Sequence, residues 1–379
     1  MTDESVGGSA HAALKGVKVL DLSRLLPAGY CSLLLSWMGA EVTKVERPGD
    51  GDGVRTVAPM VGSSSRLHYA LNGNKRSLVL DLKTEAGLRE FKRLARDSDV
   101  IIENFRPSVT TRLGVSYADI RALNPRIVYC SVTGFGHAGA RTQTPGFDLS
   151  FVARAGLLEY VGRMFDGALQ PPEVPVSDIV GGSQAALAVV GALMAREATG
   201  EGEWIDFSLT DSLLHSWVAM GLDPRDAQKA SQERSAVAGI MSGYAVFLTA
   251  DGRSLAVAAE TPVFWHRLCE ITGCLDLAAQ DPMTQGMAAI GAYARLAAVF
   301  ESKDLDEWTA ALAGADIPFE PVLTPAEAVR LGLEAGRESV IRSRTDEGAE
   351  VAIPGRPWVA RSVATSAMSR APALGEHGS

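Results

Sequence analysis

The first 220 residues alternate short blocks of branched apolar residues with stretches whose apolar positions recur every three or four residues. "GVKVLDL" (16–22), "EVTKVE" (41–46), "RSLVLDL" (76–82), "DVIIENF" (99–105), "RIVYCSVT" (126–133) and "EWIDFSL" (203–209) read as strands. Between them, "AGYCSLLLSWMG" (28–39) reads as a helix ending at Gly39, and "KTEAGLREFKRLARDS" (83–98) as a helix opened by Thr84, with Leu88, Phe91, Leu94 and Ala95 on one face. "SQAALAVVGALMAREATG" (183–200) is an apolar helix ending at Gly200, and "TDSLLHSWVAMG" (210–221) a helix capped by Thr210. Strands alternating with helices predict an α/β, Rossmann-like large domain, residues 1–221, with a mostly parallel sheet.

The pattern then changes. Residues 222–241 are polar and read as a linker. "SGYAVFLTADGRSLAVAA" (242–259) reads as two strands joined at Asp251-Gly252, "TPVFWHRLCEITG" (261–273) as a helix with Pro262 in its first turn, and "DLDEWTAALAGADI" (304–317) as another. Residues 242–330 are therefore expected to form a smaller α+β domain, and 331–379 to return to the large one.

Composition narrows the function. The 379 residues carry a formal net charge of −9, which argues against nucleic acid as a partner. The N-terminal stretch is acidic and lacks a signal-peptide pattern, and the apolar runs look too short and interrupted to span a bilayer, so no membrane association is expected. Cys31, Cys130, Cys269 and Cys274 have no metal-ligand spacing. They read as buried thiols of a reducing, cytoplasmic setting, and no metal is expected.

"VTGFGHAGARTQTPGFD" (132–148) contains a formal G-x-G-x-x-G at Gly134, Gly136 and Gly139. A dinucleotide fingerprint needs a helix starting at once after the glycines. "ARTQTPGFD" cannot start one, so no nicotinamide or flavin site is expected. The stretch reads as a loop at the carboxyl end of a strand, where glycines let backbone approach a ligand. Near strand ends the chain also places Arg24, Arg47, Asn104, Arg106 and Arg112, with Asn72, Asn74, Lys75 and Arg76 clustered in "LNGNKRS". Together they could hold a polyanion such as a nucleotide phosphate. Asp178, flanked by valines and an isoleucine, is a helix cap or a catalytic carboxylate. Asp148, Glu260 and His137 are further polar candidates.

Several of these blocks resemble the class III coenzyme A transferase superfamily, which spans formyl-CoA transferase, carnitine CoA-transferase and alpha-methylacyl-CoA racemase. The similar segments include "LKGVKVLDLSRLLPAGYCSLLLSWMGAEVTKVERPGDGDGVR", "LNGNKRSLVLDLK", "DVIIENFRPSVTTRLGVSY", "NPRIVYCSVTGFGHAG", "SDIVGGSQAALAVVGALMAREATGEGEWIDFSLTDSLL" and "APALGEH", in order from about residue 14 to the tail. The resemblance implies an interlocked homodimer with coenzyme A or acyl-CoA, as substrate, lying on the large domain. Positions matching CoA contacts are Arg47, Leu71, Asn72, Lys75, Asn104, Arg106 and Arg112, with Gly134, Phe135 and Gly136. Arg76 and Phe105 adjoin them. Asp178 matches the catalytic aspartate, and Asp148 has a role nearer the CoA.

The resemblance also bears on the branch. "LSRLLP" and "AAETPVFW" resemble the racemases, where the glutamate matching Glu260 supports a catalytic histidine. That histidine belongs to a Gly-His-Asp motif, and here the motif is Gly146-Phe147-Asp148. Phenylalanine moves no proton, whereas two-base racemisation needs an acid and a base. CoA transfer between acyl-CoA and a carboxylic acid needs one carboxylate nucleophile, expected to be ionised at pH 7, with oxyanion-stabilising N–H groups expected from the glycines beside it. A transferase acting through Asp178 is the favoured reading. A racemase with an altered base, and a CoA-thioester-binding protein that has lost catalysis, are the alternatives.

Overall fold

The computed structural model describes residues 12–165, 168–220, 241–284, 287–337, 339–358 and 369–378. The chain divides into two compact units, one of Met1–Ala219 with Leu331–Ser379 and one of Met220–Arg330. Apart from Met241, the stretch read as a linker lies outside the described residues.

The larger unit is built on six strands: β1 (Lys18–Asp21), β2 (Glu41–Glu46), β3 (Lys75–Val79), β4 (Val100–Glu103), β5 (Val128–Thr133) and β6 (Trp204–Ser208). They pair in the order β6-β5-β4-β1-β2-β3, every pair parallel. β4 and β5 are buried along their whole length, as a sheet covered on both faces requires. One face carries Val19, Val42, Val100, Ile102, Val128 and Cys130, beneath helices α1 (Pro27–Trp37) and, further along, the long helix Val176–Thr199. The other carries Leu20, Leu22, Ile101 and Tyr129, packed with Phe91 and Ala95 of α2 (Glu85–Arg96). Sheet order reverses between β1 and β4. In open α/β sheets the crevice outside the carboxyl ends at such a point is where ligands bind.

Three further helices frame that crevice: α3 (Pro107–Leu113), α4 (Asp148–Arg154) and the long helix, α5 (Val176–Thr199). A short α6 (Leu209–Leu214) follows β6. α5 begins seven residues before the expected start at 183, so Asp178 sits inside its first turn rather than ahead of it. By length and composition α5 is long and apolar enough to cross a membrane, contrary to the reading of short, interrupted runs. In the fold it buries Gly181, Gly182, Ala185, Ala186, Val189 and Leu193. Gly181 and Gly182 are helical and serve packing. A Cβ at Gly182 would lie 2.5 Å from the Pro27 carbonyl, and one at Gly181 2.4 Å from Leu209. They are not the oxyanion-binding loop that the sequence suggested.

The smaller unit has an antiparallel sheet of β7 (Tyr244–Leu248), β8 (Ser254–Ala258) and β9 (Phe319–Pro321). Helices α7 (Pro262–Thr272), α8 (Met287–Phe300) and α9 (Leu305–Leu312) pack around Trp265, Phe300 and Trp308. Residues 331–379 include an antiparallel pair, β10 (Val340–Arg344) and β11 (Glu350–Pro354).

Candidate active site

A cleft of about 1340 Å³ lies at the carboxyl edge of the parallel sheet. This exceeds the roughly 300–1,000 Å³ typical of a small-ligand pocket. Loops after β1, β2, β3, β4 and β5 line it, together with the loop before α4, the first turn of α5 and the start of α6. Five cationic residues contribute: Arg24, Arg47, Lys83, Arg106 and Arg112. Of the acids that also line it, two are neutralised from behind, Glu46 by Arg55 at 2.7 Å and Asp52 by Lys44 at 2.8 Å. Burial and the like charge of Arg47 both lower the pKa of Arg24, so an anion arriving between them would relieve that repulsion.

Asn104 and Phe105 line the cleft with distinct tasks. Asn104 accepts the Arg24 N–H at 2.8 Å and donates to the Arg24 carbonyl at 2.7 Å, tying the loops after β4 and β1 together. Phe105 lies beneath the Arg24 guanidinium at 5.0 Å. Gly134 and Phe135 line the cleft as well, and Gly136 adopts φ +73. The close approach that requires glycine at 134 is internal. A Cβ there would fall 2.2 Å from the Phe151 ring. After Gly139 the chain forms turns, and the next helix starts at Asp148.

The cluster around "LNGNKRS" does not join this wall. β3 starts at Lys75, which pairs with Val42, whereas Arg47 follows the other end of β2. The two lie about 16 Å apart along the strands, five residues at roughly 3.3 Å each. Leu71 and Asn72 are buried, and the Asn72 amide bonds His68. Lys75 is also buried, donating to Asp21 at 3.2 Å and to the Gly29 carbonyl at 2.9 Å. Arg76 is exposed on edge strand β3. Grouping these residues with Arg47 mixed the two ends of the sheet. The rule that found Arg47 and Arg106, a cation just past a strand, applies at the other end of β3 to Lys83, which the sequence reading did not single out.

Asp148 and Asp178 come together. α5 has no cap of its own, because Pro175 precedes it. Asp148 supplies one from the start of α4. Its Oδ1 accepts the Ser177 N–H at 2.7 Å, the Ser177 hydroxyl at 2.7 Å and the Asp178 N–H at 3.3 Å. The Asp148 carboxylate thus caps a helix end, and Asp148 lines the cleft as well. Asp178 lines the cleft. Burial and then the neighbouring Asp148 charge push its carboxyl up to about 7, against a smaller opposing pull from Ser177. The expectation of a fully ionised carboxylate at pH 7 is corrected accordingly. Ser177 escaped the sequence reading; its one signal was a hydroxyl beside the aspartate.

Phe147 lines the cleft and is 74% exposed. His137 is held elsewhere, its backbone N–H and Nδ1 both 2.9 Å from Asp206 and its ring edge-on to Trp204. Glu260 belongs to the smaller unit, exposed and one residue before Thr261, the cap of α7. Below the cleft Asp21, Lys44 and Lys75 form a buried cluster. Burial opposes the Asp21 charge, yet Lys44 and Lys75 hold its carboxyl well below the usual range. Burial pulls Lys75 down to about 8. Among the described residues no group of three or more histidines, cysteines or acids converges as a metal site would require. All four cysteines are buried and unpaired.

The profile of CoA-transferase family III matches residues 14–378. The chain belongs to this family. An acetyl-CoA:oxalate CoA-transferase from Acetobacter aceti is 31% identical over 365 residues, covering 93% of this chain and 90% of its own. Human alpha-methylacyl-CoA racemase is 31% identical over 372 residues, covering 96% and 91%. The crystal structure of a CAIB/BAIF family protein from Brucella suis superposes with a TM-score of 0.78 at 28% identity, covering 96% of this chain and 97% of the other. The family therefore includes relatives that transfer CoA and relatives named as racemases, and the α/β fold with its mostly parallel sheet is shared.

Proposed function

We propose that this family member transfers CoA from an acyl-CoA to a carboxylic acid, with Asp178 as nucleophile. One observation carries the reading: Asp178 opens onto the same cleft that gathers Arg24, Arg47, Lys83, Arg106 and Arg112. A CoA lying against those cations would bring its thioester along the cleft to the carboxylate. Asp178 attacks the thioester carbon, the C–S bond breaks, and a mixed anhydride and the CoA thiolate result. The thiolate attacks the aspartyl carbonyl, releasing the first carboxylate and leaving an aspartyl-CoA thioester. The acceptor carboxylate displaces the thiolate to form a second anhydride. The thiolate then takes the acceptor's acyl group and frees Asp178.

The test is incubation with an acyl-CoA and a free carboxylic acid. Formation of the acceptor's CoA ester, a hydroxylamine-sensitive adduct on Asp178, and loss of both in Asp178→Asn are expected. Turnover retained by Asp178→Asn would refute the assignment.

A second reading has its own support. A carboxyl titrating near 7 is matched to proton transfer at neutral pH. Asp178 would then exchange the α-hydrogen of an acyl-CoA from one face, with Phe147 leaving the opposite face without a base. Deuterium entry in heavy water without any acceptor acid would favour this reading. The homodimer implied by the resemblance is proposed on the apolar Leu187 and Met194 of α5, 72% and 71% exposed, and sedimentation would measure it. A cytoplasmic location is proposed on the four unpaired thiols.

A further inference from the structure

The segment 369–378 includes the "APALGEH" stretch, and none of its residues lines the cleft. It lies along the free side of edge strand β3. The Val79 N–H donates to the Gly378 carbonyl at 3.0 Å, the His377 N–H to the Ser77 carbonyl at 3.0 Å, and the Ser77 N–H to His377 Nδ1 at 3.2 Å. At its other end, Ser369 and Asn74 exchange bonds of 2.6 and 3.2 Å. These contacts cover an exposed strand edge, a sufficient task by itself.

The middle of the segment reaches further. The Pro372 carbonyl accepts from His68 Nε2 at 3.1 Å and from Arg55 at 3.4 Å. Arg55 binds both oxygens of Glu46, at 2.7 and 2.8 Å. Glu46 accepts the Asp52 N–H at 3.0 Å. Leu374 sits at Gly51 opposite Glu46: a Cβ on Gly51 would lie 2.7 Å from Glu46 Oε2 and 2.8 Å from Leu374 Cδ1. Gly51 adopts φ +66, and its carbonyl accepts Arg47 Nε at 3.1 Å. Gly51, Asp52 and Arg47 all line the cleft. Arg47 is 54% exposed, and its ion pair to the exposed Asp50 is 3.8 Å long. The Gly51 carbonyl is therefore the short contact that orients the guanidinium.

We propose that Leu374 is a positioning residue for the CoA site: by filling the space beside Gly51 it fixes the Gly51 carbonyl, which aims Arg47 into the cleft. The proposal rests on the reading of the cleft as a CoA site. Its rival is that segment 369–378 only covers the edge of β3. The two differ in whether Leu374 and Arg47 act through one another, which a double-mutant cycle measures.

Coenzyme A binding is measured by calorimetry for the full chain, Leu374→Ala, Arg47→Ala and the double variant, with the urea midpoint of each. Arg47→Ala is expected to weaken binding about tenfold. Leu374→Ala is expected to weaken it about fivefold in the native background and not at all in the Arg47→Ala background. An equal loss in both backgrounds, or no loss in a folded Leu374→Ala protein, overturns the proposal. If Leu374→Ala does not fold, Leu374→Val carries the same cycle. A native chain that does not bind coenzyme A refutes the cleft reading itself. Arg47→Ala binding as tightly as the native chain, with native binding intact, overturns the proposal alone.

Discussion

Asp21 and Asp178 are carboxylates on the same side of one sheet, and they titrate in opposite directions. Asp21 is buried between Lys44 and Lys75 and stays charged. Asp178 faces Asp148 and is raised to about 7. Burial acts the same way on both, so the sign of the neighbour decides. One arrangement holds a charge permanently as part of the framework. The other keeps a carboxyl poised between two states at the mouth of a cleft, as a reacting group requires.

The contrast can be broken at either end. Asp178→Asn is expected to lower turnover about a thousandfold or more while leaving the fold intact. Asp21→Asn leaves two buried ammonium groups without their shared partner and is expected to cost about 3–5 kcal/mol, read from urea unfolding. A stable Asp21→Asn protein would mean that the cluster relaxes or deprotonates Lys75. Stability against pH separates the two as well. The folded-state pKa of Asp21 is lowered, so its contribution is present above its unfolded value near 3.8 and lost as pH falls. That of Asp178 is raised, so stability is lost as pH climbs from near 3.8 through about 7. Asp178→Asn should therefore stabilise the protein at pH 8 and do nothing at pH 3.

Smaller changes sharpen the picture. Gly134→Ala drives a carbon into the Phe151 ring and is expected to cost about 1–3 kcal/mol in thermal unfolding. Asp148→Asn keeps an acceptor for the Ser177 N–H but removes the charge facing Asp178. In the proposed transfer the carboxylate is the nucleophilic form, so the native rate should rise with pH through about 7. In Asp148→Asn that rise should move to lower pH by about one unit or less. An unmoved pH–rate profile would show that burial alone raises Asp178.

Much of the fold was legible, because strands covered on both faces announce themselves as unbroken apolar runs and helices by their spacing. β2 matches its expected limits, and Asp178 was singled out by its apolar flanks. The charged interior was not legible. Lys44, Glu46 and Lys75 sit in strands next to exposed-looking neighbours, and only pairing across β1, β2 and β3 shows that they bury against Asp21 and Arg55. The end of β3 on which a cation lies was likewise a matter of strand direction, which placed Lys75 in the interior and Lys83 at the cleft. Asp148 capping α5 joins residues 29 positions apart in the chain, beyond the reach of local patterns.

Gly181 and Gly182 carry a further consequence. They let α5 rest on the Pro27 carbonyl and on Leu209 with no intervening side chain, and Asp178 lies one turn away on the same helix. The height of Asp178 above the sheet is thereby set by backbone thickness, a dimension that side-chain substitution cannot tune. In this fold neither position has room for a Cβ.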